Sequence, residues 1–175
     1  QANGFIELDE DLLAAFDENI FRSALNDLKY DNHDYMHGAF GKLFYLAERN
    51  KKTEKHKEYI NKLIVELKNL STSDDNGGRY WLEPMKKLTQ DEVDKKVIYL
   101  HASHGLSGKI SILNKLAADY PLAHHLLEES LRFLLHSKVK SEHGYEYPYR
   151  ILNDKKDTKT HMGWCRSNLA IGLAI

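Results

Sequence analysis

Apolar residues recur at intervals of three and four along much of the chain, the spacing that gathers them on one face of an α-helix. From Asp9 to about Tyr30 the stripe is Leu12, Leu13, Phe16, Ile20, Ala24, Leu25 and Leu28, which predicts a helix with one buried face. Asp31-Asn32-His33-Asp34 then breaks the pattern with residues that favour turns and caps. A second helix, about Ala39 to Arg49, carries Ala39, Phe40, Leu43, Phe44, Leu46 and Ala47, so it should be enclosed on more than one side. Thr53 to Leu70 is one-faced again, with Tyr59, Ile60, Leu63, Ile64, Leu67 and Leu70 in its stripe. The same alternation follows with an enclosed helix from about Leu106 to Ala118. After it comes a one-faced helix from Pro121 to Leu134 or His136, proline being well suited to the first turn. Ser71 to Gly78 reads as a loop, Arg79-Tyr80-Trp81 as a short extended piece, and Leu88 to Leu100 shows no clear period. Lys140 to Thr160 reads as a long polar loop with one short hairpin. The expected fold class is all-α, built of hairpins that pair an exposed helix with an enclosed one.

Each enclosed helix is opened by a similar turn. His37-Gly38-Ala39-Phe40-Gly41-Lys42 and His104-Gly105-Leu106-Ser107-Gly108-Lys109 share the pattern His-Gly-x-x-Gly-Lys at a separation of 67 residues. A weaker third copy is Cys165-Arg166-Ser167-Asn168-Leu169-Ala170, with Ser167 and Ala170 in place of the glycines. An echo of this kind marks a repeated supersecondary unit. Repeated helical hairpins form a solenoid or, if they close, an α/α toroid. The glycines imply close backbone approach where the enclosed helices begin, as a ring narrowing to a central cavity would require.

Composition narrows the partners. The 175 residues carry a net charge of −1 with 29% charged residues, which gives no polyanion-binding signature and no reason to expect nucleic acid. No apolar run is long enough for a membrane span. One cysteine excludes an internal disulfide and fits a reducing, cytoplasmic setting. The chain reads as a single domain over 1–175, and its apolar ending, Leu169 to Ile175, suggests that further repeats follow or that another chain covers this end.

The histidines and the aspartate of the turns are the first candidates for chemistry. The amino end of a helix presents free amide groups and the positive end of its dipole, an environment suited to general acid and base work. If the repeats converge, Asp34, His37 and His104 face a shared cavity. The plainer reading makes Asp34 a helix cap and the histidines packed turn residues. Cys165, beside Trp164, is open to three readings: a metal ligand, a nucleophile or a buried cysteine. His143 and His161 could join it as ligands only if the long loop folds inward. Tyr80, Trp81, Tyr145, Tyr147, Tyr149 and Trp164 could line a peptide or sugar groove, or simply pack loops onto helices.

Three motifs, in order, carry a resemblance. Asp34-Tyr-Met-His-Gly38-Ala-Phe-Gly41 is similar to an Asp-x-x-x-Gly-x-x-Gly turn, and Ala102-Ser-His104-Gly105-Leu-Ser-Gly108 resembles an Ala-His-Gly-x-x-Gly turn. Gly163-Trp164-Cys165-Arg-Ser-Asn-Leu169 is similar to a Trp-Cys-Tyr-Gly-Asp-Leu turn. All three turns belong to the lanthionine synthetase cyclases and their C-like relatives. The resemblance implies an α/α toroid, of which the chain holds about three of seven hairpin repeats, with zinc in the central cavity. It also implies an activity, the addition of cysteine thiols to dehydroalanine or dehydrobutyrine in a modified precursor peptide to form thioethers. By the same resemblance Cys165 is a zinc ligand, His104 an acid or base at the reacting centre, and Asp34 a further catalytic group. The family's remaining ligands come from a later Cys-His-Gly turn, which the chain does not contain, and Arg166-Ser167-Asn168 departs from Tyr-Gly-Asp. Two other readings are a non-catalytic toroid scaffold or peptide-binding module, and an α/α toroid acting on carbohydrate.

Overall fold

Two side-chain caps fix where the first and third helices begin. The Asp9 carboxylate accepts the Asp11 N–H (2.9 Å) and starts α1, Glu10–Lys29, while Thr53 Oγ1 accepts the His56 N–H (3.2 Å) and starts α3, Glu54–Asn69. Between them lies α2, Ala39–Arg49. Helices α4, Leu106–Leu116, and α5, Pro121–His136, follow, α5 with its proline in the first turn. The structure is a computed structural model and describes residues 9–49, 53–83, 95–142, 144–158 and 171–172. Among these, no helix is long and apolar enough to cross a membrane.

The helices stack in two layers. Helices α2 and α4 pack against each other, α1 packs on α2 and α3, and α5 packs on α4 and α3. Helix α4 is the most enclosed, burying Leu106, Ser107, Gly108, Lys109, Ile110, Ile112, Leu113 and Leu116. Helix α2 buries Ala39, Phe40, Leu43 and Leu46 and leaves Phe44 at the surface. The core is continuous between the layers through Phe40, Leu63, Leu67, Trp81, Leu113 and Leu126. Each such large side chain contributes about 1.5–3 kcal/mol through its burial. The stripe of α1 is only half used: Ala24 and Leu28 are buried, whereas Leu12 and Phe16 are exposed.

The helix-rich expectation holds, but the described residues add to the five helices seven short strands in three small antiparallel sheets, so the chain is not purely α. Strand β1, Thr72–Ser73, pairs with β2, Arg79–Tyr80, inside the region expected to be a loop and an extended piece. Strand β3, Val97–Tyr99, pairs with β6, Arg150–Leu152, which in turn pairs with β7, Lys155–Asp157. Strands β4, Val139–Ser141, and β5, Gly144–Glu146, form the third sheet. Lys140 to Thr160 therefore holds two hairpins rather than one. The β3–β6 pairing sets Ile98 opposite Ile151 and anchors the second hairpin to the segment leading into α4.

Candidate active site

The first turn is built by polar side chains that satisfy backbone groups. Asp31 adopts a left-handed φ of 55° and takes the chain out of α1. Asn32 then staples the turn, its Nδ2 donating to the His37 carbonyl (3.0 Å) and its own carbonyl accepting the Ala39 N–H (2.9 Å). His33 Nε2 donates to the Leu82 carbonyl (2.7 Å), pinning the turn to the segment after β2. Asp34 is 2% exposed, and its Oδ1 accepts the His37 N–H (2.7 Å).

The second turn repeats this geometry. A Cβ added at Gly38 would lie 2.6 Å from the Asp34 nitrogen, and one added at Gly105 would lie 2.6 Å from the His101 nitrogen, four residues back in both cases. At Gly41 and Gly108 an added Cβ would collide with the carbonyl six residues back, that of Tyr35 or Ala102. Only glycine admits the chain this close to itself. Within each turn the first helical amides also reach a carbonyl seven residues back, Ala39 to Asn32 (2.9 Å) and Ser107 to Leu100 (3.2 Å).

Because α2 and α4 are neighbours, the turns face each other. The other carboxylate oxygen of Asp34, Oδ2, accepts a hydrogen bond from His104 Nδ1 at 2.9 Å, joining residues 70 apart in sequence. An ionised carboxylate can only accept, so Nδ1 carries the hydrogen and Nε2 is the ring nitrogen left for chemistry. The aspartate is buried and the imidazole is 40% exposed, so the pair presents its histidine outward. This arrangement can hold a histidine in one tautomer and stabilise its protonated form, the requirements of a general acid or base.

Other rings extend from the pair. His37 is exposed, with its ring centroid 5.7 Å from that of His104, and the buried His101 lies edge-on to His104 at 5.9 Å. His101 stacks on Tyr149 (5.6 Å), which itself lies 5.6 Å from Tyr99. Beside the first turn, a groove of about 470 Å³ is lined by Tyr35, Met36, His37, Gly38, Phe44 and Tyr45 among others. Burial, and then the hydrogen bond from its hydroxyl to Asp17 (3.0 Å), push the Tyr45 phenol above its ordinary pKa. A larger cavity of about 690 Å³ sits where α2 and α4 end, lined by Leu46, His56, Leu116 and Tyr120 among others; no turn residue reaches it.

Of the residues expected to form the site, Asp34 and His104 are brought into direct contact, and Asp34 also holds the His37 amide within the turn ahead of α2. Cys165, with Trp164 and His161, lies outside the described residues, as does His143. His101 and the buried pair Lys109 and Glu83 (4.0 Å) were not singled out by sequence pattern. The signal for His101 was available, since it occupies the place of Asp34 when the two turns are superposed in sequence. Lys109 carried none, because both turns have lysine at that place.

The model of the family described as lanthionine synthetase C-like protein matches residues 4–174. The chain belongs to that family. No curated protein and no solved structure matches it. The family is associated with zinc, and the donor set can be tested for it. Among the described residues no group of three or more His, Cys, Asp or Glu is arranged to hold a metal ion. Those residues therefore do not by themselves make a zinc site.

Proposed function

We propose that the chain is part of a peptide cyclase that adds cysteine thiols to dehydroalanine or dehydrobutyrine, with the Asp34–His104 pair moving the proton that completes the reaction. The observation that carries this reading is the 2.9 Å hydrogen bond from His104 to a buried carboxylate at the mouth of two adjacent enclosed helices. In the addition, a sulfur–Cβ bond forms and the electrons of the Cα=Cβ bond move toward the neighbouring carbonyl. The thiol gives up one proton and Cα gains one, so the reaction neither oxidises nor reduces the peptide. His104, as imidazolium, is the donor to Cα. Asp34, with one oxygen on the His37 amide and the other on His104, acts through the ring rather than on the substrate.

The rest of the reading follows the family. The hairpins continue into a closed α/α toroid, Cys165 contributes to a zinc site completed by ligands beyond the described residues, and the protein works on a precursor peptide in the cytoplasm. A non-catalytic toroid that only binds peptides is the second reading, favoured by Arg166-Ser167-Asn168 beside Cys165. Incubating the full-length protein with a dehydrated, cysteine-containing peptide separates the two. Loss of free thiols at constant peptide mass, abolished in His104→Gln, supports the cyclase. Peptide binding with every thiol still alkylatable supports the scaffold. Zinc retained in full by Cys165→Ala would remove that residue from the metal site.

A further inference from the structure

A general acid that gives its proton to Cα has to be reloaded before the next addition. His104 sits on the buried Asp34 with its own ring 40% exposed, and a peptide bound over that exposed face would leave the neighbouring side chains as its route to bulk water. His37 is the exposed imidazole among them, its ring centroid 5.7 Å from that of His104, a separation that a single water molecule would be able to span. Its position is not left to chance, because the Asp34 oxygen not used by His104 holds the His37 amide at 2.7 Å. One carboxylate thus fixes both the ring of His104 and the backbone that carries His37. The groups around the two imidazoles are Asp34 from the first turn, His101 from the second, and Tyr35, Lys42 and Tyr45 around the adjoining groove. Lys42 is engaged with Asp27 and Tyr45 with Asp17, and His101 is buried against Tyr149. None of the three combines exposure with a ring facing His104, as His37 does.

We infer that His37 is the proton-transfer residue that reloads His104, taking a proton from water at its exposed ring and passing it through a bridging water to Nε2 of the neighbouring imidazole. The inference rests on the reading of Asp34 and His104 as the acid of a thioether-forming reaction. Over one cycle the thiol's proton is released to solvent and a solvent proton returns by way of His37 and His104 to Cα, with no net change. No oxidant, reductant or further reactant is needed.

The test replaces an exposed side chain, so folding is not at stake: His37→Gln keeps the amide that Asp34 holds. In the full-length protein its turnover at low buffer concentration should fall about tenfold, less than the roughly hundredfold or more of a direct general acid because His37 acts only on the reloading step. Small imidazole added to the buffer should restore it, and KM for the peptide should stay near the wild-type value. A merely structural role for His37 would not be rescued by a soluble base. Turnover equal to wild type, or a loss that imidazole does not restore, would overturn the inference. A second readout needs no cyclisation: NMR of proton exchange between the His104 ring and water should show slower exchange in His37→Gln, and an unchanged rate would overturn the relay. If wild-type protein forms no thioether while exchange still slows in the variant, the reaction assignment fails and the relay stands.

Discussion

In the first His-Gly turn the residue four places before the leading glycine is Asp34; in the second it is His101. The lysine that follows the second glycine is Lys42 in one turn, in a half-buried ion pair with Asp27, and Lys109 in the other, 1% exposed and lying over the rings of Phe40 and Trp81. The backbone beneath these differences is nearly the same, with glycine required at matching positions. The glycine spacing therefore fixes the path of the chain, and the chemistry comes from the positions that the spacing leaves free. The first turn supplies a carboxylate and an exposed imidazole, the second an imidazole and a buried cation. Neither turn contains an acid–base pair alone. It arises only because α2 and α4 pack side by side.

The largest expected effect tests that division of labour. Asp34→Asn should slow thioether formation about a hundredfold or more, whereas His101→Asn at the matching place should cost less than about tenfold. Loss of alkylatable thiols over time measures both, and equal effects would break the contrast. Next come the lysines. Lys109→Met takes the ammonium from beside the buried Glu83 carboxylate and should destabilise the fold by about 3 kcal/mol, while Lys42→Met, which breaks a half-buried pair with Asp27, should cost less. Denaturant midpoints decide this, and similar shifts would mean that the turns are not energetically distinct.

The glycines should sharpen the comparison further. Gly41→Ala and Gly108→Ala each force a methyl onto a carbonyl, but at Gly108 the added carbon also lies 3.1 Å from Tyr35 Cγ. Both should lose about 1–3 kcal/mol, Gly108→Ala the more of the two. The smallest effect is alkaline. Burial holds the phenols of Tyr45, Tyr80 and Tyr120 above their ordinary value. A folded-state value above the unfolded one means that the folded protein binds the proton more tightly. Stability from these groups is fully present below about pH 10 and is lost as pH rises through the raised values. Tyr45→Phe removes the share belonging to α2, so its unfolding midpoint should fall less steeply than wild type above that pH.

Much of the helical frame was legible in the chain because its signals are local. Asp9 and Thr53 cap where the apolar stripes begin, and the echo of His-Gly-x-x-Gly-Lys marked both turns. The strands were less legible. Val97-Ile98-Tyr99 pairs with a partner more than fifty residues away, and Arg150-Ile151-Leu152 has one buried residue and no alternation long enough to read. Leu12 and Phe16 fit the stripe of α1 yet stay exposed, because periodicity shows which face a residue shares and not what covers it. In the site, the sequence pointed to Asp34 and His104 but not to their hydrogen bond, which depends on the packing of α2 on α4. The burial of Lys109 was hidden for the same reason, since the lysine of the other turn is identical in sequence and only half-buried.

The contact between the turns can be read directly from the nitrogen NMR shifts of the His104 ring in the full-length protein, above the pH at which it is neutral. The hydrogen bond to Asp34 requires the hydrogen on Nδ1 and a bare Nε2, and Asp34→Asn should abolish that preference. A hydrogen on Nε2 in the wild type, unchanged by Asp34→Asn, would show that the two turns do not form an acid–base pair.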